Sequence, residues 1–151
     1  MRIRQIIYED VDEVIEMGIR MHDESNYAFL PFDREKVREL IMTYVNDFET
    51  QCGLVAEEGN FLLGMFGGFL TDYYFCNEKL ACDMVLFIDK KYRGSSAARR
   101  LIRAFRDWAI MRGAREICLG ISSNVNTDRT GRFYESLGFT RVGAIYKQRS
   151  E

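Results

Sequence analysis

Residues 52 to 89 constrain the fold of this chain more than any other stretch. CGLVAEEG and NFLLGMFGGFLTDYYF read as a strand pair turning at E-E-G-N, and KLACDMVLFID adds a third β-rich run. Three consecutive strands must form a sheet, and a sheet must bury its faces under something. The flanking segments supply the cover. Residues 95 to 111 carry Ala98, Leu101, Ile102, Phe105, Trp108 and Ala109 at helical spacing, with Arg99, Arg103 and Arg106 largely off that stripe. Upstream, RIRQIIY (2 to 8) reads as a first strand. Asp10 is placed to cap a helix with Val11, Val14, Ile15, Gly18 and Ile19 on one face. Asp33 is placed to cap another helix with Val37, Leu40, Ile41, Tyr44 and Val45.

After residue 111 the pattern gives a strand at REICLGI, a helix at D-R-T-G-R-F-Y-E-S-L closed by Gly138, and a last strand at FTRVGAIYKQ. The expected order is β-α-α-β-β-β-α-β-α-β, an α/β (α+β) class with a mixed sheet and helices on both faces. The 151 residues fit one domain, with no repeat and no linker. No apolar run approaches the roughly 18 residues that span a bilayer. MRIRQIIYED lacks the features of a signal peptide, so the expectation is a cytoplasmic protein without membrane partners.

Charge and cysteine usage exclude other classes. A net charge of −2 disfavours a nucleic-acid partner. Cys52, Cys76, Cys82 and Cys118 include no C-x-x-C pair, and His22 is the one histidine, so no metal site is expected. Each cysteine lies among β-prone apolar residues, which reads as buried thiols in a reducing compartment.

The stretch KKYRGSSAARR (90 to 100) joins the strand VLFID to the 95–111 helix. A helix start offers unpaired N–H groups and the positive end of the dipole, and G-S-S-A-A lets backbone approach an anion. A solvated basic helix start accounts for the same composition. Neither G-x-x-x-x-G-K-[ST] nor G-x-G-x-x-G occurs.

Arg93-Gly94-Ser95-Ser96-Ala97-Ala98 resembles the [QR]-x-x-G-x-[GA] motif of the GNAT superfamily of acyl-CoA-dependent N-acyltransferases. Ser96 stands where that family has its central glycine, and serine serves if no positive φ is needed there. Tyr134-Glu135-Ser136-Leu137-Gly138-Phe139 is similar to the family's Y-E-x-x-G-F segment, and the element order agrees along the whole chain. The wording RGSSAARRL and TDRTGRFYESLGF is most similar in flavour to phage and bacterial members.

The resemblance implies a GNAT-like fold with splayed central strands and acetyl-CoA or coenzyme A as co-substrate. The pyrophosphate would lie on Arg93 to Arg99, held mainly by backbone N–H groups of Gly94, Ser95, Ser96, Ala97 and Ala98. The pantetheine arm would pair with the strand backbone at Phe87 and Ile88, with the Asn126 amide as a further contact, although Asn126 would equally serve as a helix cap. Tyr134 would protonate the departing thiolate. Asp83 is the candidate general base, sharing a strand face with Val85 and Phe87 by alternation, and a solvated strand-end role fits it equally well. Glu24, His22 or water are its rivals. The acceptor, a small-molecule or peptide amine, would meet Glu24, Ser25, Tyr27, Phe29 and Phe32 together with Tyr73, Tyr74 and Phe75. Those aromatics would suit a homodimer interface equally well. The function implied is N-acetyl transfer to a primary amine by direct attack in a ternary complex. A non-catalytic acyl-CoA-binding regulator of the same fold is the alternative.

Overall fold

The computed structural model describes residues 1–150. β1 (Arg2–Gln5) leads through a 3-10 turn (Tyr8–Asp10) into α1 (Val11–Glu24) and then α2 (Arg34–Asn46). The chain continues as β2 (Gln51–Glu58), β3 (Phe61–Asp72) and β4 (Lys79–Ile88). A second 3-10 turn (Lys90–Tyr92) precedes α3 (Ala97–Met111), β5 (Ala114–Cys118) and α4 (Thr127–Ser136). The strands form one sheet in the order β1-β2-β3-β4-β5. All neighbours are antiparallel except β4 and β5, which run parallel.

Two cores sandwich this sheet. On one face Val11, Val14, Ile15 and Met17 of α1 and Ile41 and Tyr44 of α2 pack on Val55, Met65 and Phe87. On the other, Leu101, Phe105, Trp108 and Ala109 of α3 pack on Cys52, Leu54, Phe66 and Ala81. Both helical stripes follow the expected 3.6-residue periodicity. Phe66 and Phe105 meet at 4.5 Å between ring centres, and the Trp108 indole N–H donates to Phe48 O at 2.7 Å.

Local chemistry explains the element ends. Asp33 Oδ1 accepts from the N–H groups of Glu35 and Lys36, the expected cap of α2. Gly59, at φ +61°, turns β2 into β3, and Gly138, at φ +94°, follows α4 with its N–H donated to Glu135 O. Asp10 departs from expectation. It makes no side-chain cap to α1, because Arg4 takes its carboxylate through two hydrogen bonds, at 2.7 and 2.9 Å. Asp10 Oδ2 also accepts the Ile7 N–H at 2.9 Å, and Glu57 braces the Arg4 guanidinium at 2.9 Å. Burial pushes the Asp10 carboxyl up, but these hydrogen bonds outweigh it and hold the group below the ordinary carboxylate range.

Two further expectations are overturned. FTRVGAIYKQ is not a strand: residues 139–150 have no regular structure, and Val142, Ile145 and Tyr146 stand exposed. β-propensity needs a partner edge. Here the segment is held by side chains instead, with Lys147 donating to Tyr27 Oη and Ser122 O, and Arg149 lying 3.7 Å from the Phe29 ring centre. The cysteines are all free, but of the four only Cys52 is buried; Cys82 is half-buried and Cys76 and Cys118 are exposed. Cys76 falls in the β3–β4 connection, and Cys118 ends an edge strand covered on one side only. No helix among the described residues is long and apolar enough to cross a membrane.

Asp10 is 7% exposed and shares the Arg4 guanidinium with Glu57, so Asp10→Ala should remove a bidentate pair and leave Arg4 with Glu57 alone at the corner between β1 and α1. The expected loss in chemical denaturation is about 1.5–3 kcal/mol at pH 7, the range for hydrogen bonds to a charged group. The depressed carboxyl makes this contribution available above the unfolded carboxylate range, and it is lost as pH falls through the lower folded value. The gap between wild type and variant should therefore close in acid.

Candidate active site

β4 and the edge strand β5 part company halfway along. β5 pairs with β4 only as far as the register couple Cys82 and Cys118, leaving β4 from Asp83 to Ile88 without a partner on that edge. Asp89 N–H points the other way, donating to Leu63 O at 2.9 Å. Strand alternation therefore turns the Ile88 N–H toward the open edge. The gap opens into a cavity of about 940 Å3 bounded by α1, α2, β4, the start of α3, residues 120–126 and α4.

At one end of this cavity lies the turn before α3. Gly94 sits at φ +91° with nothing near the place a Cβ would take. Ser96 is at φ −78°, so the position aligned with the family's glycine does not need one for its conformation. Among the five N–H groups from Gly94 to Ala98, Ser95 donates to Tyr92 O and Ala97 to Ser95 Oγ. Those of Gly94, Ser96 and Ala98, and that of Arg99, have no partner among the described residues. Arg93 is not a loose cation. Its Nε donates to Ile88 O at 3.0 Å, its guanidinium bridges to Glu24, and it lies 5.5 Å from the Phe87 ring centre. It ties the turn to β4 and to the end of α1. Arg99 lies over Phe133 at 5.8 Å, and Arg129 lines the cavity whereas Arg132 does not. These free donors and fixed guanidinium groups fit a pyrophosphate-bearing molecule.

Between these walls Asp83 and Tyr134 converge on one residue, Gly120, from its two flanking peptide groups. Asp83 Oδ1 accepts the Gly120 N–H at 3.0 Å, and Tyr134 Oη lies 3.5 Å from Gly120 O. Burial pushes the Asp83 carboxyl up to about 6, against the opposing pull of the Gly120 N–H. Burial, and secondarily the Asp83 charge, push the Tyr134 phenol well above its ordinary value, so it is protonated at neutral pH. Asp83 is not on the face expected of it. Gly67 pairs with Val85 but Gly68 pairs with Asp83, so Met84 is an extra residue in β4. That bulge reverses the alternation. Asp83 pairs with Gly68, which faces Phe105, and so lies on the α3 side with Leu86 and Ile88, while Val85 and Phe87 pack toward α1 and α2.

The remaining candidates divide. Asn126 stands at the N-cap position of α4 in the left-handed region, φ +47°, and lines the cavity without capping the helix through its side chain. Phe87 is buried, and with Ile88 it borders the cavity along β4. His22, Glu24, Ser25, Tyr27 and Phe32 also line it, His22 meeting Phe32 edge-on at 5.5 Å. Glu24 is engaged by Arg93, and Phe29 is exposed beneath Arg149. Tyr73, Tyr74 and Phe75 do not join them: they occupy the β3–β4 connection outside the cavity, with Tyr73 Oη on Glu116 at 2.6 Å. Sequence reasoning missed Gly120, Met84 and Tyr44 as site residues. Gly120 read only as a strand end and Tyr44 only as part of an apolar helix face; the bulge at Met84 is a property of pairing.

Residues 49–141 match the family described as the acetyltransferase (GNAT) domain. Over 63 residues the chain is 40% identical to N-alpha-acetyltransferase 30 of Schizosaccharomyces pombe, a match covering 42% of this chain and 41% of that relative. Among solved structures it is similar to a ribosomal-protein-alanine N-acetyltransferase from Brucella melitensis biovar Abortus 2308, at 17% identity and a TM-score of 0.75, over 99% of both chains. An aminoglycoside acetyltransferase from an uncultured soil metagenomic sample aligns with a TM-score of 0.72 at 21% identity, over 99% of this chain and 96% of that one. At such identities the structures speak for the fold alone. The matched segment runs from just before β2 to beyond α4, carrying both motifs and the parted strands: this chain belongs to the GNAT acetyltransferase family.

Proposed function

We propose that this protein transfers an acetyl group from acetyl-CoA to a primary amine, by direct attack of the amine within a ternary complex. The observation that carries the reading is the convergence of Asp83 and Tyr134 on Gly120, in a cavity also lined by the turn whose Gly94, Ser96, Ala98 and Arg99 N–H groups have no partner among the described residues. When bound, acetyl-CoA supplies a thioester that the neutral amine can cleave. The chain's own residues do the rest.

The α3 turn holds the pyrophosphate, and the open edge of β4 from Asp83 to Ile88 accepts the amide-bearing arm as an added strand. Ile88 N–H, facing that edge, is placed to polarise a carbonyl oxygen. Asp83, ionised above about pH 6, takes the amine proton directly or through one water. Tyr134 Oη, held protonated by burial, gives a proton to the departing sulfur. Positioning supplies the larger share of the acceleration.

Tyr134→Phe should lower kcat roughly 100-fold or more in a thiol-release assay while leaving coenzyme A binding almost unchanged. Unchanged turnover would remove Tyr134 as the acid. In wild type, kcat/KM for the amine should carry an acid limb near pH 6, added to the slope from protonation of the amine itself. Asp83→Asn should abolish that limb. The raised Asp83 carboxyl also favours the folded state below the unfolded value and loses that contribution as pH rises through about 6. The Asp83→Asn melting temperature should therefore exceed wild type at pH 8 and converge with it toward pH 4. Coenzyme A should raise the melting temperature of the wild type. Gly94→Ala, strained at φ +91°, should weaken that shift.

A further inference from the structure

We propose that the acceptor is a monoamine bearing an apolar side group with a carbonyl close to its nitrogen, seated in the arm of the cavity between α1, α2 and β4. This rests on the transfer reading above and names the substrate class for the same site. The first argument is charge. Among the described residues two acids line the cavity, Glu24 and Asp83, against three arginines, Arg93, Arg99 and Arg129. Glu24 is bridged to Arg93, so Asp83 is the one lining carboxylate outside an ion pair. Polyamines and aminoglycosides carry several cations, each of which must leave water for a compensating partner. This wall has none to spare.

The second argument is the lining of the arm itself. Val37, Leu40 and Ile41 of α2 face Met84 and Val85 of β4, with Met21 of α1 beside them. Met84 is on this wall because it is the bulged residue, 52% exposed rather than packed in a core. From the α2 wall a single directional group enters: Tyr44, buried at 5%, whose Oη has Met84 Sδ at 3.5 Å as its one partner among the described residues. A thioether is a weak acceptor, so the phenol proton remains available to a carbonyl.

The sheet makes room for this ring. A Cβ at Gly53 would lie 2.6 Å from Tyr44 Cβ, and one at Gly67 would lie 3.3 Å from Tyr44 Oη. One donor in an otherwise apolar α2 wall selects an apolar group with one acceptor near the amine.

The test is calorimetry on the coenzyme A-loaded protein with phenylalaninamide, phenethylamine, spermidine and kanamycin, followed by acetylation of the same four. Phenylalaninamide should bind best, and both aromatic amines should bind about ten-fold or more tighter than the two polycations. Tyr44→Phe should erase the advantage of phenylalaninamide over phenethylamine and leave coenzyme A binding intact. Met84→Asp should shift preference toward spermidine by about ten-fold. Polycations binding as tightly as the aromatic amines, or an unchanged ranking in Met84→Asp, would overturn the proposal. If the aromatic amines bind in the expected order but release no thiol, the pocket assignment stands and the transfer reading falls. If spermidine or kanamycin is the better acetylated substrate, transfer stands and this assignment falls.

Discussion

The parting of β4 from β5 after Cys82 is the constraint on which the rest of the site depends. Backbone groups in a closed sheet are consumed by their neighbours, and a strand buried on both edges has nothing left to offer a ligand. Here β5 stops at Cys118, and β4 continues for residues 83–88 with one edge open. The chain leaving β5 does not return as a neighbour but crosses the gap as residues 120–126. It thereby brings Gly120 between Asp83, which takes its N–H, and Tyr134, which faces its carbonyl. Without the parting there would be no cavity and no edge.

A second local irregularity decides what faces the gap. With Met84 inserted opposite the Gly67–Gly68 step, β4 serves both cores with the wrong parity for a regular strand. Val85 and Phe87 go to α1 and α2, while Asp83 goes to the α3 side, where it is half-buried and its carboxyl rises to about 6. The bulge also pushes Met84 out of the core and onto the cavity wall facing α2. Charge division and apolar lining thus come from one extra residue.

The α3 turn adds a cradle made of backbone more than of charge. Arg93 is bound to Ile88 O and Glu24, so its role is to fix the turn against β4 and the C-terminal end of α1. The unpaired N–H groups of Gly94, Ser96, Ala98 and Arg99 remain as the donors, and the negative φ of Ser96 removes any need for glycine there.

Much of this was legible in the residues. The apolar stripes of α1, α2 and α3, the hairpin at Gly59, the Asp33 cap and the Gly138 stop follow from spacing and local chemistry, which a sequence carries directly. The two motifs, at Arg93–Ala98 and Tyr134–Phe139, were enough to indicate the family to which the chain belongs. Pairing was not legible. Alternation put Asp83 beside Val85 and Phe87, and only the register with β3 turns it away. FTRVGAIYKQ had strand-forming residues but found no partner edge, and Lys147 and Arg149 hold it to Tyr27 and Phe29 instead. Asp10 had the right position to cap α1, yet a bidentate contact with Arg4 claimed its carboxylate. The sequence by itself determined the elements, their order and the chemistry available at the turn, because periodicity and turn preference are properties of near neighbours. Which face a carboxylate takes, which edge stays open and which charges are already paired were decided only by the tertiary structure, because each depends on residues far apart in the chain.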